Sequence, residues 1–411
     1  MSDYSVLGLR LACNTPQLLA ALEQAHGHKD RPLCLCRPAG LPMYVAKIGD
    51  RFFLKRMPNS GDQHTAECDS YEPPPELSGL GQVMGSAIKE NPEDGMTSLA
   101  LDFSLTKYPG RAAPLASATA HDTVSTDGHK LTLRAMLHYL WEEAGFHQWT
   151  PAMTGKRTWY VIRKYLLDAA NNKKAKAGEL IDLLYIPEFF QLERKEELTK
   201  RRHARISPLV ASNNGARKLL VLVGQVKDIA PARYGQKIVF KHLADFPFML
   251  ADDLYTRVQK RFAFELEMWS SFEQTHLMAI ATFGVSSAGI AAIEEIALMN
   301  VTEQWIPFEN SWEYDLIGEM TRQHRRFRKG LRYNMSTTRP LACLVATDTQ
   351  PEPTAMYIAP PDCSDEYNAL LDELTAQSKL QTWIWKAGVD AMPALPSLTE
   401  PPTRTHPFPL T

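Results

Sequence analysis

Apolar residues spaced three and four apart at Leu133, Met136, Leu137, Leu140, Trp141 and Ala144 predict an amphipathic helix, stopped by Gly145. Trp159, Ile162, Leu166 and Ala169 repeat the spacing and predict a second helix from Thr158 to Ala170. Lys218–Val226 and Lys237–Leu243 are β-branched apolar runs separated by Pro231 and Gly235, which reads as a strand pair. Leu254, Val258, Phe262, Leu266, Trp269 and Phe272 mark one long helix. His276–Phe283 and Ile290–Val301 read as strands, and Glu313–Arg328 as a further helix. Helices and strands mix without a strict βαβ rhythm, so the expected class is α+β in several small domains.

Proline and charge suggest where those domains divide. The expected units are an N-terminal domain (1–108), a basic helical module (129–206), a β-rich α+β domain (217–300), a C-terminal domain (301–390) and a Pro-rich tail (391–411) with no core of its own. Residues 109–128 read as an exposed loop.

Composition acts mainly by exclusion. The 411 residues are 44% hydrophobic and 22% charged, which removes disordered, collagen-like and disulfide-stapled classes. Lys plus Arg (45) nearly cancels Asp plus Glu (47), so nucleic-acid contact needs local patches, not a basic coat. No apolar run reaches the ~18–20 residues of a membrane span. Residues 1–30 carry no apolar core followed by a cleavage site. The expected setting is cytoplasmic, with no membrane partner and with six cysteines as thiols or metal ligands.

Four residues form a candidate metal site. Cys34-Leu-Cys36 precedes two strand-like runs, Met43–Ile48 and Arg51–Met57, joined by the turn dipeptide Gly49-Asp50. A hairpin there returns the chain to its start and brings His64 and Cys68 beside Cys34 and Cys36. Three thiolates and an imidazole suit Zn²⁺, and four protein ligands leave no place for water, so the ion would be structural. The alternative is unrelated buried cysteines with a loop histidine; Cys13 could also replace one ligand. Cys343 and Cys363 read as small core residues.

Two basic runs are candidate nucleic-acid surfaces. On the Thr158–Ala170 helix, Arg157, Arg163 and Lys164 fall opposite the apolar face, and with the helix before it the unit resembles a helix-turn-helix or winged-helix module. Arg322, Arg325, Arg326, Arg328, Lys329 and Arg332 are six cations in 11 residues, interleaved with Phe327, as in surfaces that stack bases and neutralise phosphates. An internal salt network with acids such as Glu313 and Glu319, or an acidic protein partner, would also account for the run. The stretch Arg194–Arg205, interspersed with glutamates, reads as an exposed helix.

Several motifs point to one family. Cys34-Leu-Cys36, Tyr71-Glu-Pro-Pro-Pro-Glu, Leu101-Asp-Phe-Ser-Leu-Thr-Lys107, Val301-Thr-Glu-Gln-Trp-Ile-Pro307 and Lys329-Gly-Leu-Arg-Tyr-Asn334 resemble a bacterial family known as domain of unknown function 1173. That resemblance implies a setting on plasmids or integrative conjugative elements. More weakly, the C-terminal third resembles a degenerate PD-(D/E)xK restriction-endonuclease-like domain, behind an N-terminal zinc-ribbon-like hairpin. In such a layout only Glu313 matches a catalytic carboxylate: the strand Asp falls at Leu341, and the Glu-x-Lys pair near Met356–Ala359.

No phosphate-binding loop, HExxH or GxSxG pattern occurs, and no catalytic constellation is visible. The expected function is therefore a non-catalytic DNA-binding accessory protein with a structural zinc. Two alternatives stand beside it: a metal-dependent nuclease using residues such as Asp348 and Glu352, and a protein scaffold of a conjugation or defence assembly.

Overall fold

The computed structural model describes residues 3–13, 15–48, 51–107, 128–210, 216–233 and 235–398. Its first sheet runs in the order Leu9–Ala12, Asp3–Val6, Leu33–Cys34, Leu41–Ile48 and Arg51–Arg56. Helix α1 (Pro16–Ala25) is capped by Thr15, which accepts from the Leu18 N–H, and its Leu18 and Leu22 pack with Tyr4, Val6 and Met43. The expected hairpin forms, with Met43 paired to Arg56 and Ile48 to Arg51. Its Gly49-Asp50 turn lies outside the described residues, as does most of the expected 109–128 loop.

The middle of the chain is one interlocked body. After the short α2 (Leu80–Val83) come α3 (Leu133–Glu143), α4 (Trp159–Ala170), α5 (Leu180–Leu183) and α6 (Lys195–Ile206). Leu220–Pro231, Gln236–Phe240, Phe248–Leu250, His276–Val285 and Ala291–Val301 then form a five-stranded ring. Numbered along the chain, their neighbour order is 1-2-3-5-4, and strand 4 pairs back to strand 1. Strand 3 meets strand 5 in parallel, at Met249 and Ala292.

Between strands 3 and 4 lie α7 (Asp252–Arg261) and α8 (Ala263–Ser271). They replace the single helix expected there, because Phe262 (φ −116°, ψ 28°) leaves helical geometry with its ring buried. The segments 129–206 and 217–300, expected as separate domains, share one apolar core: Leu137 and Leu140 of α3 and Ile162 and Leu166 of α4 belong to it with Leu222, Phe248 and Ile280 of the ring.

The C-terminal part is a layered unit. α9 (Ser311–Arg322) is followed by strands Phe327–Lys329, Leu344–Ala346 and Thr354–Ala359, then α10 (Asp365–Gln377) and strand Gln381–Lys386. The first three strands are antiparallel neighbours in sequence order, and the last lies parallel to the third. The helix expected over Glu313–Arg328 ends at Arg322, and His324 turns the chain at φ +55° into a strand. An edge strand, Gln148–Trp149, comes from the middle of the chain and ties the two parts together. The tail does not stand apart over its described length: Trp383 donates to the Ala394 carbonyl and Arg325 to that of Pro396.

Candidate metal centre and cationic surfaces

Cys34 ends a strand beside Tyr4, and Cys36 sits in the turn that follows. The hairpin returns the chain to Gly61–Gln63, a single 3-10 turn that presents His64 and then Cys68. Gly61 is needed there, since a Cβ would lie 2.6 Å from that of Glu72. Arg37 donates to the Gln63 carbonyl and joins the two ligand loops.

The ligand atoms of Cys34, Cys36, His64 and Cys68 all lie within 4.8 Å of one another. Cys34 and Cys68 sulfurs are 3.6 Å apart, and His64 Nδ1 is 3.4 Å from Cys36 Sγ and 3.5 Å from Cys68 Sγ. A tetrahedral ion with sulfur at about 2.3 Å and nitrogen at about 2.0–2.1 Å needs separations of about 3.8 and 3.5 Å, so the residues fit such an ion. Hydrogen bonding with Cys68, together with burial, raises the Cys34 thiol above its ordinary range, so sulfurs this close either share a cation or stay protonated. The cluster can hold a metal ion. Cys13 is not part of it.

Four residues beyond Cys68, Glu72 enters the body of the protein. Its Oε1 accepts from Arg328 (2.9 Å) and Gln148 (3.2 Å), and its Oε2 lies 3.2 Å from His147 Nε2. Burial alone would push this carboxyl up, but Arg328, His147 and Arg56 outweigh it and hold Glu72 well below the usual carboxylate range. Glu72, Glu142 and His147 also cluster closely enough to hold a metal. There the Arg328 guanidinium already serves as the counter-cation, and Glu142 accepts from the Tyr333 hydroxyl (2.7 Å).

The expected arginine surface is corrected by its partners. Arg325 is buried against Asp348 (2.9 Å), Arg328 against Glu72, Lys329 against Glu313 (3.2 Å) and Arg332 against Glu309 (2.6 Å). Phe327 is buried in the C-terminal core, so it offers no ring to a base. Around the Phe327–Lys329 strand these four cations each meet an acid from another part of the chain. Arg322 is exposed and paired with Glu319; Arg326 is half-exposed. Four of the six cations therefore belong to an internal salt network, and Arg322 and Arg326 are left at the surface.

The α4 run divides similarly. Arg157 donates to the carbonyls of Phe146, Gln304, Gly145 and Gln148, and burial lowers its pKa to about 10. Arg163 donates to the Ile186 carbonyl. Lys164 remains exposed, between Tyr160 (67% exposed) and Tyr165 (46%). α3, the partner of α4 in the expected helix-turn-helix, is almost wholly buried.

Two of the three carboxylates considered for a nuclease centre are occupied. Glu313 accepts from Lys329 and from the Glu309 N–H, and Asp348 from Arg325 and the Arg326 N–H. Glu352 is exposed. Cys343 is buried, donating to the Met356 carbonyl, as a core residue would.

Fold and site together define an α+β protein with several sheets and a Cys₃His cluster able to hold a metal ion. The model of the family described as "Protein of unknown function (DUF1173)" matches residues 4–388, and the chain belongs to that family. No curated protein and no solved structure matches it. Among the described residues, no helix is long and apolar enough to cross a membrane.

Proposed function

We propose that this chain is a non-catalytic, DNA-binding accessory protein of a bacterial mobile element, acting in the cytoplasm with one structural zinc ion held by Cys34, Cys36, His64 and Cys68. The observation that carries the DNA reading is the five-stranded ring. Its order 1-2-3-5-4, the parallel contact between strands 3 and 5 and the helices between strands 3 and 4 are the topology of the OB-fold, whose outer face on strands 2 and 3 serves oligonucleotides in many proteins. In strands 2 and 3, Ile238, Phe240, Phe248 and Leu250 are buried in the core, and the alternating Lys237, Val239 and Met249 reach partly outward on that face. Lys241 and Lys227 are exposed beside them. Phosphate contacts need only lysines placed along such a groove.

The non-catalytic part of the reading rests on Glu313 and Asp348, each closed by its own cation. The helix, three-strand, helix, strand layout from α9 to Gln381–Lys386 supports a nuclease-like ancestry for that unit. Zinc is favoured over harder cations by three sulfur donors, and over a catalytic role by the closed shell. Six cysteines with no disulfide among them suit a reducing compartment.

A titration of labelled single-stranded, duplex and forked DNA, with and without Mg²⁺, tests this. Salt-sensitive retention of intact DNA, strongest for single strands, is expected. Mg²⁺-dependent loss of the substrate would establish the nuclease alternative, and no retention at low salt would favour the scaffold.

A further inference from the structure

A cleft of about 360 Å³ lies between α4, the segment 184–190, α6 and the turn after ring strand 2. Five cationic side chains line it against three carboxylates. Two of those acids are neutralised in place: Asp245 takes both terminal nitrogens of Arg202 at 3.0 Å, and Glu188 pairs with Arg201 at 3.0 Å. The third, Asp182, is exposed.

Arg163 and Arg205 are different. Both are half-buried, and their recorded hydrogen bonds go to neutral carbonyls. Arg163 Nε donates to Ile186 O at 3.0 Å, and one terminal nitrogen of Arg205 donates to Ile181, Asp182 and Leu184 carbonyls at 2.7–3.1 Å. Those carbonyls fix the guanidinium planes without cancelling their charge. Burial lowers the Arg163 pKa, with Arg201 adding to the effect and Glu188 opposing it. An anion is the partner such a pair lacks.

The remaining wall is apolar, mostly leucine and isoleucine, with an aromatic part at His242 and Phe190. The His242 ring stacks on Trp159 (5.2 Å, 21°) and touches Phe189 (5.3 Å), while its Nδ1 accepts from the Phe190 N–H. Burial and Lys241 lower its pKa to about 4, so at neutral pH it is an uncharged flat surface. Phe190 is exposed at the same cleft. The volume is in the range of small-ligand sites, ~300–1,000 Å³.

We propose that this cleft binds a nucleoside phosphate, with Arg163 and Arg205 on the phosphate and the His242–Phe190 wall against the base. The same chemistry is offered by a free mononucleotide and by the 5′-phosphorylated end of a DNA strand. The cleft begins one residue beyond Lys241 of the outer ring face, but its phosphate ligands Arg163 and Arg205 are not among that face's lysines, so failure of their variants leaves the DNA-binding reading standing.

Calorimetric titration of the full chain with the four deoxynucleoside 5′-monophosphates, the matching nucleosides and inorganic phosphate tests it. The monophosphates are expected to bind at least about tenfold tighter than the nucleosides and than phosphate alone, because only they offer both a charged partner for the guanidinium groups and a base. Arg163→Gln should weaken monophosphate binding about tenfold with an unchanged circular dichroism spectrum. A 5′-phosphorylated oligonucleotide that binds better than both its 5′-hydroxyl form and the mononucleotides identifies a strand end as the source; preference for the mononucleotide identifies a free nucleotide. Equal binding of nucleoside and monophosphate overturns the proposal. Unchanged monophosphate affinity in Arg163→Gln and in folded Arg205→Lys overturns it independently of any folding defect.

Discussion

Glu72 Oε1 lies 2.9 Å from Arg328 Nη1, so a residue four places beyond the last cysteine of the metal cluster is ion-paired to a central strand of the C-terminal sheet. His147 and Gln148 complete the carboxylate's partners. The N-terminal module is therefore fastened to the body by a buried charge as well as by the chain itself.

Removing one side of that pair leaves the other buried and uncompensated. Glu72→Gln and Arg328→Met should each lower unfolding stability by about 3–5 kcal/mol, read from urea denaturation midpoints at an unchanged slope. The double variant should lose less than the two single losses added together. Full additivity would show that the pair is not coupled.

His138 provides a pH test. Its Nδ1 accepts from the Tyr333 N–H at 2.9 Å, and burial with Arg134, Lys329 and Arg332 nearby, opposed by Glu309, pushes its pKa down to about 3 from an ordinary 6.5. Between those values the unfolded chain binds the proton and the folded chain does not. Stability from this group is thus complete above about pH 6.5 and lost as pH falls toward 3, by at most ~1.4 kcal/mol per pH unit. His138→Asn, which keeps an acceptor, should flatten the stability profile between about pH 6 and 4. An unchanged profile would assign the acid sensitivity elsewhere.

The helices over 133–143 and 159–170 and the strand pair at 220–240 were legible because their apolar period is local. So was the return of His64 and Cys68 to Cys34, since a hairpin fixes where its ends meet. The arginine run was open between two readings because the acids that answer it, Glu72, Glu309, Glu313 and Asp348, reach it from distant parts of the chain. Ring closure was not legible at all. It depends on one parallel contact between Met249 and Ala292, which no local pattern encodes. Glu72 left one signal, an acid immediately before three prolines and just after the last ligand.

The outer ring face yields a binding prediction. Replacing Lys237 and Lys241 together by alanine should reduce the slope of log K against log salt for single-stranded DNA by about 1–1.5, with affinity falling for all sequences alike. Arg325→Ala should instead destabilise the fold, since its partner Asp348 is buried. An unchanged slope in the lysine variant would move the contact surface to another face, with Tyr160, Lys164 and Tyr165 of α4 the next to test.

Cys36→Ser should release the N-terminal module to proteolysis while leaving the ring and C-terminal sheet protected, because an ion held by the four residues would close two loops and leave no ligand position for a substrate. Chelation of the native protein should reproduce that pattern.

The most direct test of the metal centre at the heart of this account is elemental analysis with zinc-edge X-ray absorption on protein purified without added metal. The expected result is about one zinc per chain, with three sulfurs near ~2.3 Å and one nitrogen near ~2.0–2.1 Å. Protein that carries no metal, remains folded and titrates as six free thiols would contradict it.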